Sequence, residues 1–323
     1  MFIITLQQVA ILLAFILLGY FFKKINVINE GGKKVLAGLL VNLFAPAYSI
    51  VSLSSQISVD KISEYLVYLL IGTAVSVVLV FLAIPFSLLM AKDKFNRNIL
   101  KYAFAFGNIG YFGYPVVGAV FGAEARALMI LFCVPMSITI YTYGYAVLTA
   151  DTELDGETKS RKKGGWKKAL RFLYAPPFLG AIIGILIGLL NINLPDFIWD
   201  FLNVAANCQS APAMLLTGAC LASVPFLKLF TSWKPYVIGL IRMLIIPLIF
   251  GGILFVFGVR DIIFMLTVVA VAMPVGMNVV VYPESCGKDG TEGAKTCFIS
   301  YILALAVLPL IFTLISMITG LGA

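Results

Sequence analysis

Two short segments hold the residues best placed to do chemistry: Gly107-Asn-Ile-Gly-Tyr-Phe-Gly-Tyr-Pro115 and Ala272-Met-Pro-Val-Gly-Met-Asn278. Each joins helix-breaking Gly and Pro to an uncharged Asn, and each lies inside an apolar stretch long enough to cross a bilayer. Irregular backbone at membrane depth is tolerated only where protein buries it or a wet cavity reaches it. Two such breaks in corresponding positions of two halves mark a place where a solute can be held. Proline favours the first turn of a helix, where its missing N–H is not needed. Pro115 and Pro274 are therefore expected to start the second halves of two interrupted helices. The N-terminal end of each half-helix carries an effective charge of about +0.5 and several unpaired N–H donors. Two of them attract an organic carboxylate without a buried Lys or Arg.

The breaks need long helices to position them, and the composition supplies these. Of 323 residues, 61% are hydrophobic and 12% charged, which excludes an ordinary soluble globule. Apolar runs predict ten spans, near 3–22, 35–53, 64–90, 102–121, 127–149, 172–191, 197–224, 236–258, 261–282 and 296–320. The first run has neither a basic region before it nor a small-residue cleavage pattern after it, so it reads as a retained helix rather than a signal peptide.

Charge gives the orientation. Of the 23 Lys and Arg, 19 fall in the connections after spans 1, 3, 5, 7 and 9 or just beside them. Lys61, Arg126 and Arg260 lie on the other side, and Arg242 lies within span 8. By the positive-inside rule both termini face outward across the cell's inner (plasma) membrane, and the basic connections are cytoplasmic. The net charge of +8 then reflects orientation, and no nucleic-acid partner is needed to explain it. The longest polar stretch, Asp151 to Lys168, divides the chain into 1–150 and 172–323, with 151–171 as a cytoplasmic linker.

Five spans per half give two halves of opposite orientation. Ala45-Pro46-Ala47 recurs as Ala211-Pro212-Ala213 at an offset of 166 residues. Pro85 pairs with Pro247, Pro115 with Pro274 and Pro135 with Pro309, at offsets of 162, 159 and 174. The expected fold is therefore an all-α polytopic membrane protein of two inverted five-helix repeats.

In this frame the candidate substrate-binding residues are Asn108, Gly113, Tyr114 and Pro115 at one break, and Pro274, Gly276 and Asn278 at the other. Asn42 and Ser49 flank Pro46 and are added from the second span. Each Asn has a second role open to it, satisfying backbone groups freed at the break. Tyr111 fits either the cavity or packing, and so do Asn207, Gln209 and Ser210 near Pro212. Arg242 lies about two turns from the cytoplasmic end of its span, a place from which its side chain is expected to reach the headgroups. Glu284 falls at a helix end, where a rim position and a gating role both fit.

The chain resembles the auxin efflux carrier family, which contains plant PIN-type carriers and bacterial organic-acid permeases. The resemblance rests on Asn108, Gly113 and Pro115, on Pro274, Gly276, Asn278 and Glu284 in that order, on the central polar loop, and on Leu308-Pro309-Leu310. It implies a fold like that of bile acid sodium symporters, with spans 4 and 9 crossing at their prolines. Spans 3–5 and 8–10 would form a mobile transport domain; spans 1, 2, 6 and 7 would form a scaffold, often a homodimer interface. The implied activity is elevator-type transport of a small organic anion, auxin-like monocarboxylate or malate/malonate-like dicarboxylate.

Missing residue types narrow the chemistry further. There is no His, and no Asp or Glu near the middle of a predicted span. Intramembrane proteases, His-ligated metal sites and carboxylate proton relays lack their groups. No CxxC pair occurs among the five Cys, and no cofactor or metal is expected. Backbone carbonyls and Asn or Ser oxygens leave Na⁺ coupling open, and a passive channel or ligand sensor remains an alternative to a transporter. Topology is directly testable: single cysteines at Glu157 and Ala323, in a background without native cysteines, should label from the inside and the outside respectively. External labelling at 157 would overturn the orientation.

Overall fold

The computed structural model describes residues 1–149, 176–285, 288 and 290–321. The expected linker 151–171 and the side chain of Glu284 lie outside the described residues. Thirteen helices organise the described chain: α1 (Phe2–Lys24), α2 (Glu30–Ser54), α3 (Ile62–Met90), α4 (Lys94–Ala105), α5 (Ile109–Phe132), α6 (134–149), α7 (Pro176–Leu189), α8 (Asp196–Asn207), α9 (Ser210–Leu221), α10 (Lys234–Val256), α11 (Ile262–Ala272), α12 (Asn278–Ser285) and α13 (Thr291–Thr319). The described residues contain no β-strand, only one isolated antiparallel bridge between Gly107 and Val275.

Six of these helices are long and apolar enough to cross a membrane: α1, α2, α3 (extended by the turn from Val59), α5, α10 and α13. Three of the expected spans are interrupted along their length. The run 102–121 is cut between Ala105 and Ile109, 261–282 between Ala272 and Asn278, and 197–224 at Cys208 and Gln209. Within α5, Gly122 leaves helical geometry with φ 93° and ψ 178°, a conformation open only to glycine, and it falls in the expected gap between 121 and 127.

Prolines leave a second mark. Leu40–Phe44, Ile109–Gly113 and Ile241–Ile245 are π turns, in which the N–H groups of Ala45, Tyr114 and Ile246 reach back five residues. The next residue in each case is Pro46, Pro115 or Pro247. A proline ring crowds the carbonyl four residues before it. Widening the turn ahead of it relieves that crowding without ending the helix. This corrects one expectation: Pro115 sits one residue after a π turn inside α5, whose first residue is Ile109. Pro274 lies outside α11 and α12 altogether, and neither proline starts a half-helix.

Helices of the two halves pack against each other in pairs, α1 along α9 and α2 along α7, at close range. Small residues set that distance, because van der Waals packing drives helix association in lipid. A Cβ on Gly218 of α9 would stand 1.9 Å from the Ile16 carbonyl oxygen, and one on Gly180 of α7 would stand 2.7 Å from the Pro46 carbonyl oxygen. The deepest segments are the last turn of α4 and most of α11: all residues from Tyr102 to Ala105, and from Phe264 to Ala272, are buried. A helix apolar on every face, as α11 is, belongs in the interior of a bundle.

The contact at Gly218 yields a test. Gly218→Ala should cost about 1–3 kcal/mol by overpacking, while Gly38→Ala should be neutral or stabilising by up to about 1 kcal/mol, since nothing lies within 4 Å of its Cβ position. Melting temperatures in detergent would compare them; equal values would refute the close packing of α1 on α9.

Candidate functional site

The two breaks meet. Residues 106–108 and 274–276 run antiparallel and join by main-chain bonds: Asn108 N–H donates to the Pro274 carbonyl at 2.7 Å, and Gly276 N–H to the Phe106 carbonyl at 3.2 Å. Each break therefore satisfies polar groups of the other, as backbone away from water must be satisfied. The Val275 N–H donates to Ser300 Oγ at 3.0 Å, which ties the second break to α13.

Both asparagines act locally first. Asn108 caps α5, its Oδ1 accepting from Tyr111 N–H at 3.4 Å, and its amide donates to the Tyr301 hydroxyl at 2.8 Å. Asn278 opens α12, and its amide donates to the Tyr102 hydroxyl at 3.1 Å. These two Asn–Tyr pairs link α5 to α13 and α12 to α4. The tyrosines were invisible as site residues in the sequence, where Tyr in an apolar run reads as packing.

Arg242 corrects a second expectation. Its side chain does not reach the headgroups; it is fully buried. Its Nε donates to the Met273 carbonyl at 3.2 Å and its Nη1 to the Phe104 carbonyl. Met273 ends α11 and Phe104 lies in the last turn of α4, so one guanidinium serves the C-terminal ends of both first half-helices. Positive charge is favoured there, since each helix end carries about −0.5. Gly107 permits the approach: a Cβ on it would lie 2.6 Å from Arg242 Nη2.

At the crossing lies a cavity of about 140 Å³. It is lined by the start of α5 (Ile109, Gly110, Tyr111), the start of α12 (Met277, Asn278), and Gly107, Asn108 and Gly276 between the half-helices. Ser49, Tyr102, Ser137 and Gln209 add neutral polar groups, and Tyr48, Tyr114 and Phe178 add aromatic wall; none of the described lining residues is charged. Tyr48 and Tyr114 stack at 6.5 Å between ring centroids, with the Arg126 guanidinium 5.2 Å above the Tyr48 ring. Gln209 donates to the Gly110 carbonyl at 3.3 Å, while its Oε1 is buried without a protein partner. A volume of this size takes on the order of ten waters, the scale of a small organic molecule.

Of the residues expected from sequence, the cavity brings together Asn108, Tyr114, Gly276, Asn278 and Ser49. Gly113, Pro115 and Pro274 lie behind its wall: a Cβ on Gly113 would meet Met273 Sδ at 3.0 Å, and Pro274 contributes its carbonyl to the crossing. Asn42 is exposed and bonds back to the Gly38 carbonyl at 2.8 Å, so it stands away from the cavity. Gln209 is buried in the wall, whereas Asn207 is exposed. Among the described residues no cluster of His, Cys, Asp or Glu could hold a metal ion.

Apolar helices packed around two interrupted ones, with a neutral polar cavity at the crossing, define a polytopic membrane protein. A profile of the family described as membrane transport protein matches residues 4–312. An uncharacterized transporter of Methanothermobacter thermautotrophicus is 26% identical over 306 residues, covering 94% of this chain and 96% of its own. An uncharacterized transporter of Methanocaldococcus jannaschii is 26% identical over 251 residues, covering 76% of this chain and 77% of its own. The chain belongs to this membrane transport protein family, the auxin efflux carriers.

The Asn108–Tyr301 pair can be probed by Tyr301→Phe. Losing the hydroxyl leaves a buried amide without its acceptor, at a cost of about 1–3 kcal/mol. A melting temperature lower by about 2–6 °C is expected in detergent. An unchanged value would mean that the amide's partner lies elsewhere.

Proposed function

We propose that this protein is a secondary transporter of small organic carboxylate anions, with the substrate held at the crossing of α4–α5 and α11–α12. The wall of the cavity carries this reading: the first turns of α5 and α12 line it together, and no charged side chain does among the described residues. N–H groups at a helix start have no partner within the helix, and they favour negative charge. A cationic substrate would need an acidic partner. The neutral amides and hydroxyls fix the orientation of the anion, and the rings of Tyr48, Tyr114 and Phe178 suit its apolar part.

In this reading the chain forms ten spans as two inverted repeats, 1–150 and 172–323, joined by a cytoplasmic linker, with both termini outside. The scaffold comprises α1, α2, α7, α8 and α9, through which a homodimer would form. The remaining helices form a transport body that carries the crossing past the scaffold in an elevator-type cycle. The extensive pairing of α1 with α9 and of α2 with α7 supports this division. The substrate is an auxin-like monocarboxylate or a malate/malonate-like dicarboxylate.

Titration calorimetry with matched acid and amide tests the sign of the substrate. The carboxylate should bind and the amide should not, and affinity for a fully ionised acid should stay flat from about pH 6 to 8, because ordinary carboxyl groups are ionised throughout. Asn108→Ala and Asn278→Ala should each weaken binding about ten- to a hundred-fold, the worth of a hydrogen bond to a charged partner of about 1.5–3 kcal/mol. Equal affinity for acid and amide would sink the helix-end account.

A further inference from the structure

We infer that the cleft between the α3–α4 connection and the start of α10 is a binding site for an anionic glycerophospholipid. The cavity there measures about 740 Å³, within the range of about 300–1,000 Å³ usual for small-molecule sites, and it shares no lining residue with the cavity at the crossing. Its walls come from both halves of the chain: the end of α3 and the first turns of α4 on one side, the starts of α10 and α13 on the other. Three helices long and apolar enough to cross a membrane fix its depth. α3 ends at Met90, α10 begins at Lys234 and α13 begins at Thr291, so the cleft lies where their apolar lengths meet the bilayer surface.

The lining is divided as a phospholipid is. Ile99, Leu100 and Ile238 form a buried apolar floor. At the mouth Leu89 and Trp233 are 81% and 64% exposed, an apolar rim against which acyl chains can lie. Trp is at home at this depth, where its ring spans the boundary between chains and headgroups. Charge then selects the headgroup. Lys92 and Lys234 line the cleft, are exposed, and form no ion pair among the described residues. The two acids of the lining are already engaged. Both oxygens of Asp93 accept from Asn96, one from its main-chain N–H at 2.8 Å and one from its side-chain amide at 2.9 Å, and the start of α4 offsets the charge. Glu292 pairs with Lys295 at 2.8 Å. A phosphodiester held by Lys92 and Lys234 supplies the missing anion, as headgroups do in basic pockets between membrane helices. Each such lysine strengthens attachment about fivefold. Because the walls belong to different halves, the bound lipid ties the α3–α4 hairpin to α10 and α13.

The test uses the full-length protein, stripped of lipid in detergent and free of any carboxylate solute, so it is separate from the function proposed above. Phosphatidylglycerol added in mixed micelles should raise the melting temperature saturably, and phosphatidylcholine with the same chains should not. Lys92→Gln/Lys234→Gln should need about thirtyfold more phosphatidylglycerol for the same rise, the product of two fivefold losses. Lys34→Gln/Lys228→Gln removes equal charge at positions that do not line the cleft, and it should respond as wild type does. Glycerophosphate, the headgroup without its chains, should give no shift. Equal responses to the two lipids would overturn the inference, and so would equal responses of the two double variants. A shift with glycerophosphate matching that with lipid would also overturn it, by making the ligand a soluble phosphate ester. Should the first double variant fail to fold, the lipid and glycerophosphate comparisons on the wild type decide alone.

Discussion

A charge buried without a carboxylate beside it is the constraint on which the rest of this structure depends. Isolated burial of a guanidinium costs several kcal/mol even after relaxation. Arg242 is held because two helix C-terminal ends converge on it, each with carbonyls that no helical N–H satisfies. The dependence is mutual. Without the cation, two negative helix ends would face each other in the middle of an apolar bundle.

Once the C-terminal ends are assigned to Arg242, the N-terminal ends of α5 and α12 are left for the cavity. The crossing thus separates its charges: negative ends are neutralised by protein, and positive ends face the space where a solute fits. The asparagines keep that space polar at low cost. Each amide has a tyrosine hydroxyl as acceptor, so the wall is hydrogen-bonded before any ligand arrives. Neutral groups need no counter-ion and leave the fixed helix-end field intact.

The breaks themselves were legible in the sequence, because Gly, Pro and Asn together inside an apolar run have few other uses. Their helix boundaries were less so: a proline was read as a helix start, whereas Pro115 follows a widened turn and Pro274 sits in extended backbone. Arg242 was misread for a physical reason. Distance from a helix end predicts whether a long side chain can reach water, but the face it points to is set by what packs there, and Met273 and Phe104 are remote in sequence. Asn42 failed differently: its own helix offered a carbonyl four residues back. Tyr102 and Tyr301 carry no local signal, since only their pairing with the asparagines distinguishes them from packing aromatics.

The pairing of residues 106–108 with 274–276 bears on how the chain is made. More than 160 residues separate these partners, and the Arg242 that serves the end of α4 is also made late. When the first half has been threaded into the membrane, the carbonyls at the end of α4 and the N–H of Asn108 have no permanent partners. Asn108 must wait for Tyr301 as well. A half-synthesised molecule therefore holds unsatisfied polar backbone at bilayer depth, a state that lipid does not tolerate for long. The second half completes the first as much as it adds to it, and biogenesis must keep the two together until α13 is in place.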